Sequence, residues 1–228
     1  MSPHTGIRLA RVSFVRDERA AICDLLDRLG PDAPTLCEGW TTADLASHLA
    51  LREQRPDAAG GIALRFLSGY TATVQDRIKN GKPYSTVVDL VRQGPPVWSP
   101  YRIPAINAAV NTAELFIHHE DVRRAQPGWE PRTLPPEHEE LLWKQLKSGS
   151  RLFLRKAPVG IVLRRTAEDR AEAGAGEVTA KKAVPTVVVA GAAPELLLFA
   201  FGRQEHARVT YEGDPEAVER LRGARLGM

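Results

Sequence analysis

The stretch NTAELFIHHEDVRRA, residues 111–125, decides both the fold and the chemistry of this chain. Ala113, Leu115, Phe116, Ile117 and Val122 recur at the period of an amphipathic helix, yet Glu114, His118, His119, Glu120 and Asp121 crowd between them. Too little purely polar face remains for five ionisable groups. Some of them must lie near the core, and the rest of the chain has to say which, and for what.

Working outward, the same helical period appears upstream. From about residue 8 to 29, Leu9, Val12, Val15, Ile22, Leu25, Leu26 and Leu29 repeat at helical spacing, and Gly30-Pro31 ends the run. After PDAPTLCEGW, Thr41 or Thr42 caps a second helix in which Leu45, His48 and Leu49 share a face with Asp44 and Arg52 nearby, and Pro56 stops it. Residues 60–79 form a third, with Ile62, Leu64, Phe66, Leu67, Tyr70, Val74 and Ile78, closed by the NGKP turn. Ser85 is the expected cap of a short helix, STVVDLVRQ. The Pro-rich GPPVWSPYRIP then leads into a long helix over about residues 104–125. Four principal helices on modest loops predict an antiparallel four-helix bundle over residues 1–130, a fold that builds metal sites from inward side chains on facing helices.

Beyond Pro127 the texture changes. Residues 136–149 read as a helix that can run on to Leu154, followed by strand-like GIVLRRT (160–166) and PTVVVAG (185–191), with GEVTAKK a weaker strand between them. AEDRAEAGAGE has the composition of an exposed loop. APELLLFAFG (193–202) fits a helix, ARVTYEG (207–213) a strand, and DPEAVERLRGA a closing helix with Asp214 as cap and Pro215 in its first turn. Residues 131–228 thus read as a small C-terminal α+β domain, and the fold class as α+β.

Composition narrows the function classes. In 228 residues, 31 Lys and Arg against 28 Asp and Glu give a formal charge of +3. The basic residues are scattered apart from short pairs such as Arg123-Arg124 and Lys181-Lys182, which argues against a nucleic-acid footprint. No stretch has the apolar length of a membrane-spanning helix or the pattern of a signal peptide, so a cytoplasmic protein without membrane contact is expected. Cys23 and Cys37 are too few for a disulfide framework and are expected as free thiols, Cys23 in packing and Cys37 in a turn beside Gly39-Trp40.

Glu114 and His118 are four residues apart and stack on one helix face, where they can approach a single ion from the same side. His48, between Leu45 and Leu49 on an apolar stripe, is the best third ligand. Two imidazoles and a carboxylate suit zinc, and nickel, iron and manganese accept the same donors. Three protein ligands leave a position for water or substrate, the catalytic pattern. The alternative is a hydrogen-bonded core histidine and a chance Glu/His pair.

LCEGWTTADLASHLALRE together with AELFIHHEDVRRA resembles the DinB-like bundle family, in particular the mycothiol-dependent maleylpyruvate isomerase group of actinobacterial proteins. GAAPELLLFAFGRQEHARVTYEGDPEAVERL resembles the end of an uncharacterised, metal-binding branch of it. The resemblance covers most of the chain and implies a metal held by His48, Glu114 and His118. It further implies a divalent ion that activates a low-molecular-weight thiol, mycothiol, for attack on a small electrophile in thiol transfer or isomerisation. A metal bound by two neutral imidazoles and one carboxylate keeps positive charge and can hold a coordinating thiol as thiolate, so neither Cys23 nor Cys37 has to act.

Around this set, Asp44 can orient His48 or stabilise its helix N-terminus, and Asp121 can support the site or pair with Arg124 or Arg52. Arg203 is the candidate for binding a carboxylate of thiol or substrate, in a cleft between the domains, with a helix cap as its alternative. Trp40 and Trp98 are expected in packing, Trp98 also at a pocket mouth, and His119 and His206 have no assigned partner. A monomer or weak homodimer is expected. The rival reading is a non-enzymatic protein that binds a metal or a small apolar ligand.

Overall fold

The structure is a computed structural model that describes residues 3–55, 68–166 and 176–227, with the side chains of residues 3–10, 68 and 100 left aside. The chain divides into two compact units, Met1–Glu130 and Pro131–Met228. The first is a helical bundle and the second a small α+β unit, so the class is α+β. Among the described residues no helix is long and apolar enough to cross a membrane.

In the first unit, α1 (Pro3–Leu29) starts five residues before the expected boundary. Phe14, Val15, Ile22, Cys23 and Leu26 fill its buried face, and Gly30 ends it in the left-handed region at φ 76, its N–H donating to the Leu26 carbonyl. The second helix, α2 (Thr42–Gln54), buries Leu45, Ala46, Leu49, Ala50 and Leu51. The third, α3 (Ser68–Gly81), sets Val74 and Ile78 against Leu51; the first part of the expected 60–79 helix, with Ile62, Leu64, Phe66 and Leu67, lies outside the described residues.

The short α4 (Tyr84–Gln93) buries Val87, Val88 and Val91, and its N-cap is Pro83 rather than the expected Ser85. Proline's fixed φ suits that place, and the Pro83 carbonyl accepts the Val87 N–H at 3.2 Å. Both α1 and α2 pack on α4, which makes it a full member of the bundle. The last helix, α5 (Pro104–Arg123), packs along α1, with Phe116 facing Phe14 at 6.4 Å between ring centroids. Its two halves differ: Ile106 and Val110 are exposed, whereas Asn111–Ala113 and Leu115–Val122 are buried. The bundle is tied internally by Arg19, whose guanidinium grips both oxygens of Glu53 at 2.7 and 2.5 Å and also donates to the Val91 carbonyl at 2.7 Å.

In the second unit, α6 (Pro136–Phe153) buries Leu141, Leu142, Trp143 and Leu146 and packs on α7 (Ala193–Ala200), which is buried throughout. Four strands, β1 (Gly160–Arg165), β2 (Gly176–Lys181), β3 (Thr186–Gly191) and β4 (Thr210–Glu212), form a sheet in the order β2-β1-β3-β4. The central pair β1 and β3 is parallel, and both edge strands are antiparallel to their neighbours. Ile161, Leu163, Val187 and Val189 alternate inward as period-2 strands require. Arg164 reaches across the other face to Glu177 and Glu212 on both edge strands, at 2.6 and 2.7 Å.

The expected 207–213 strand is shorter than its β-branched residues suggested, because a 3-10 turn at Gln204–His206 delays it and pairing with β3 reaches only Thr210–Glu212. Asp214 does cap the closing helix α8 (Pro215–Arg222), accepting the Ala217 N–H at 3.0 Å. Most of AEDRAEAGAGE lies outside the described residues.

Candidate metal centre

The five ionisable groups of α5 part in different directions, as about 100° of rotation per residue demands. His119 turns to α1, its Nδ1 2.8 Å from Glu18 Oε2 with both side chains buried. Glu120 accepts from Arg124 at 2.6 Å and from Arg123 at 2.9 Å. Glu114 and His118 turn together toward α2 and meet His48.

There, two imidazole nitrogens converge on one carboxylate oxygen. His48 Nε2 is 3.2 Å and His118 Nε2 3.0 Å from Glu114 Oε1, and the three donor atoms lie within 4.8 Å of one another. An ionised carboxylate only accepts, so the ring N–H groups are the donors. The two rings meet edge to face at 5.2 Å, and the Trp40 ring lies 5.1 Å from that of His48. Trp40 therefore packs as expected, whereas Trp98, in its Pro-rich loop, is 67% exposed and does not.

Electrostatics follow from burial and this convergence. Burial works against the Glu114 carboxylate, but the charge and hydrogen bond of His118, the bond from His48 and the charge of Arg52 outweigh it and hold the carboxyl well below its usual range. Burial also opposes an imidazolium at His118, yet Glu114 and Asp121 reverse the balance and raise its pKa well above the ordinary histidine value. For His48 burial wins, and its pKa is lowered. The balance therefore favours an imidazolium at His118 against an ionised Glu114, and a neutral ring at His48.

The donor set fits a metal ion. Around a tetrahedral ion with bonds of about 2.0–2.1 Å, neighbouring donor atoms stand about 3.3 Å apart, close to the edges seen here.

Asp121 lies three residues after His118 and holds its Nδ1 at 2.9 Å, the arrangement of a carboxylate that orients a ligand histidine. Asp44 does not orient His48. Its Oδ2 accepts the N–H and hydroxyl of Thr41 at 3.0 and 2.9 Å, and its Oδ1 meets Lys79 at 2.6 Å, so it anchors the start of α2. Desolvation works against this carboxylate, but Lys79 and Thr41 pull its pKa down.

Two neighbours join the site in a way the sequence reading does not give them: Arg52 reads there only as a neighbour of His48 or a partner for Asp121, and Cys37 as a turn residue. Arg52, one turn after His48, donates to the same Glu114 Oε1, and its spacing on α2 was the available signal. Cys37 has its Sγ 3.2 Å from Asp121 Oδ2 and 3.9 Å from His118 Nδ1. No periodicity links it to α5. Arg203 lies in the second unit, where its Nη1 donates to the Phe201 carbonyl at 2.7 Å and its backbone N–H to the Leu198 carbonyl at 3.0 Å, just past the end of α7.

Residues 15–74 match the family model of the mycothiol maleylpyruvate isomerase N-terminal domain. That span contains α2 with His48 and Arg52 and ends before Glu114 and His118. Among solved structures, the chain is similar to a mycothiol-dependent maleylpyruvate isomerase at 17% identity and a TM-score of 0.55, over 90% of this chain and 92% of that one. A variant of that enzyme with a histidine replaced matches equally, with the same TM-score of 0.55. No curated protein matches the chain. The resemblance read from the sequence is met by a family-model match over residues 15–74 and by the fold.

Proposed function

We propose that this chain is a divalent-metal-dependent enzyme that presents a low-molecular-weight thiol, mycothiol, to a small electrophile for thiol transfer or isomerisation. His48, Glu114 and His118 hold the ion, and zinc is the ion their donors suit best. The observation that carries this reading is the convergence of His48 Nε2 and His118 Nε2 on Glu114 Oε1 from two helices. The isomerase whose fold the chain shares uses the thiol in question.

The ion, when bound, supplies a Lewis acid that lowers the pKa of a thiol. The chain's own residues do the rest. Asp121 fixes the tautomer and plane of His118, and Trp40 packs against the His48 ring with the two planes tilted by 52°. Arg52 places a guanidinium beside Glu114, where it offers an anionic thiol or substrate a second positive partner. Arg203 is assigned to a carboxylate of thiol or substrate. No disulfide joins Cys23 and Cys37, which suits a reducing cytoplasm.

The test is the metal content of purified chain and of His48→Ala, followed by a screen of mycothiol with small electrophiles. About one divalent ion per chain in the parent and little in the variant is expected, with turnover that needs both thiol and ion. A parent that takes up no zinc, nickel, iron or manganese, or a loaded parent that turns over no thiol with any electrophile, overturns the reading.

A further inference from the structure

His118 has two ring nitrogens, and only Nε2 is a ligand in the function above; Nδ1 faces Asp121. On the other edge of the ring, Nδ1, Asp121 Oδ2 and Cys37 Sγ form a second triangle of donors with sides of 2.9, 3.2 and 3.9 Å. All three atoms lie within 4.8 Å of one another. Orienting His118 requires the Asp121 contact alone; it does not require a thiol on the same oxygen.

Separate contacts bring Cys37 to that place. Its backbone N–H donates to Thr35 Oγ1 at 3.2 Å, and Thr35 in turn donates to the Trp40 carbonyl at 2.9 Å, which closes the turn between α1 and α2. Pro34 and Thr41 pair as an isolated bridge at its base. The Leu36 N–H then donates to the Asp121 carbonyl at 3.0 Å. The turn is thus fastened to α5 by the backbone of the very residue whose carboxylate receives the thiol.

Sulfur, imidazole nitrogen and carboxylate oxygen are a donor set for zinc and cadmium, and a thiolate favours soft ions over magnesium or calcium. Bonds of about 2.3 Å to sulfur and about 2.0 Å to nitrogen and oxygen give donor separations of about 3.3–3.6 Å, which the three observed sides bracket. Cys37 is partly exposed while Asp121 is fully buried, so an ion has both an entry side and a desolvated carboxylate behind it.

We propose that Cys37 Sγ, His118 Nδ1 and Asp121 Oδ2 form a second metal position for a thiophilic divalent ion, back to back with the first across the His118 ring. The proposal shares His118 with the metal centre described above and otherwise stands on its own residues. Loading it releases the Cys37 thiol proton and the proton between His118 Nδ1 and Asp121 to solvent. With both positions loaded the His118 ring has lost both N–H protons and bridges the two cations as imidazolate, so the second ion binds more weakly than the first.

Cobalt and cadmium titrations of the full chain separate the two positions. Tetrahedral cobalt gives visible bands at either position, whereas a near-ultraviolet thiolate-to-metal band requires Cys37. The parent is expected to show both, and cadmium to load to about two ions per chain. Cys37→Ser is expected to lose the thiolate band and about one cadmium while keeping visible cobalt bands from the first position. His48→Ala is expected to keep the thiolate band. Cadmium should also shield Cys37 of the parent from iodoacetamide, a readout independent of any variant's folding.

Visible cobalt bands at saturation with no thiolate band, or alkylation of Cys37 undiminished by cadmium, overturn the second position and leave the first intact. A thiolate band with no loss of ion in His48→Ala supports the second position and removes the first. A parent that binds neither ion removes both.

Discussion

Asp121 Oδ2 stands 2.9 Å from His118 Nδ1, and the Asp121 side chain is wholly buried. The carboxylate therefore fixes which edge of the ring faces Glu114 before any ion arrives. Asp121→Asn keeps the shape and removes the charge. It is expected to weaken the first ion's affinity about 10- to 100-fold, with little change in helix content, as read by competition with a chromophoric chelator. Unchanged affinity would make Asp121 a structural residue only.

Arg52 draws on the Glu114 oxygen that the proposed ion would also use. Arg52→Gln removes a like charge from beside the ion, so metal affinity is expected to rise, by about fivefold for about 1 kcal/mol of repulsion. Thiol-dependent turnover should fall at the same time because the anionic partner loses a positive contact. Calorimetric titration and a saturation curve in thiol separate the two effects, and weaker metal binding in the variant would count against the placement of Arg52.

Arg19 and Glu53 are 8% and 5% exposed, and Asn111 also donates to Glu53 at 2.8 Å. Glu53→Gln leaves the Arg19 guanidinium buried without its counter-charge and is expected to cost about 3–5 kcal/mol in urea unfolding. The paired change Arg19→Met with Glu53→Leu should recover most of that loss. Equal losses in the single and paired variants would mean that packing, not charge, dominates there.

The lowered pKa of Asp44 gives a stability effect with a definite sign. Its carboxylate is favoured in the folded state, so its contribution is present above the ordinary carboxylate range and lost as pH falls through the lowered folded value. Asp44→Ala is expected to cost about 1 kcal/mol near neutrality. The gap between variant and parent should close below about pH 4, as followed by thermal unfolding across pH. A gap that persists in acid would point to packing instead.

The two cysteines differ in environment. Burial, only partly offset by Arg92 and Arg19, pushes the Cys23 thiol up to about 12, while Cys37 is partly exposed. Iodoacetamide on the native, metal-free chain should modify Cys37 and spare Cys23, with both reacting after unfolding. Peptide mapping decides this, and early labelling of Cys23 would show that α1 and α4 part readily.

What the sequence disclosed and what it hid divide along local and non-local lines. Helical period placed Glu114 and His118 on one face and set His48 on an apolar stripe, because such spacing is fixed by the backbone within one element. The same reasoning could not separate two roles for Asp44, since cap and ligand support require the same residue one turn from His48; Lys79, 35 residues away, settled it. Cys37 meets His118 across 81 residues of chain, through a turn whose path is set by the Leu36 to Asp121 backbone bond. No periodicity encodes such a meeting. Ser85 looked like a cap because hydroxyls favour that role, and the rigid φ of Pro83 took it instead.

The site draws its donors from α2 and from α5, with Glu114 66 residues beyond His48. An ion held there joins two distant parts of the chain, so occupancy becomes a gauge of how completely the bundle is assembled. At an ion concentration about 100 times its dissociation constant, that linkage adds about 2.7 kcal/mol to folding. On the proposed reading, metal scarcity would shorten the life of the folded chain as well as idle it, tying the amount of protein present to the supply of that ion.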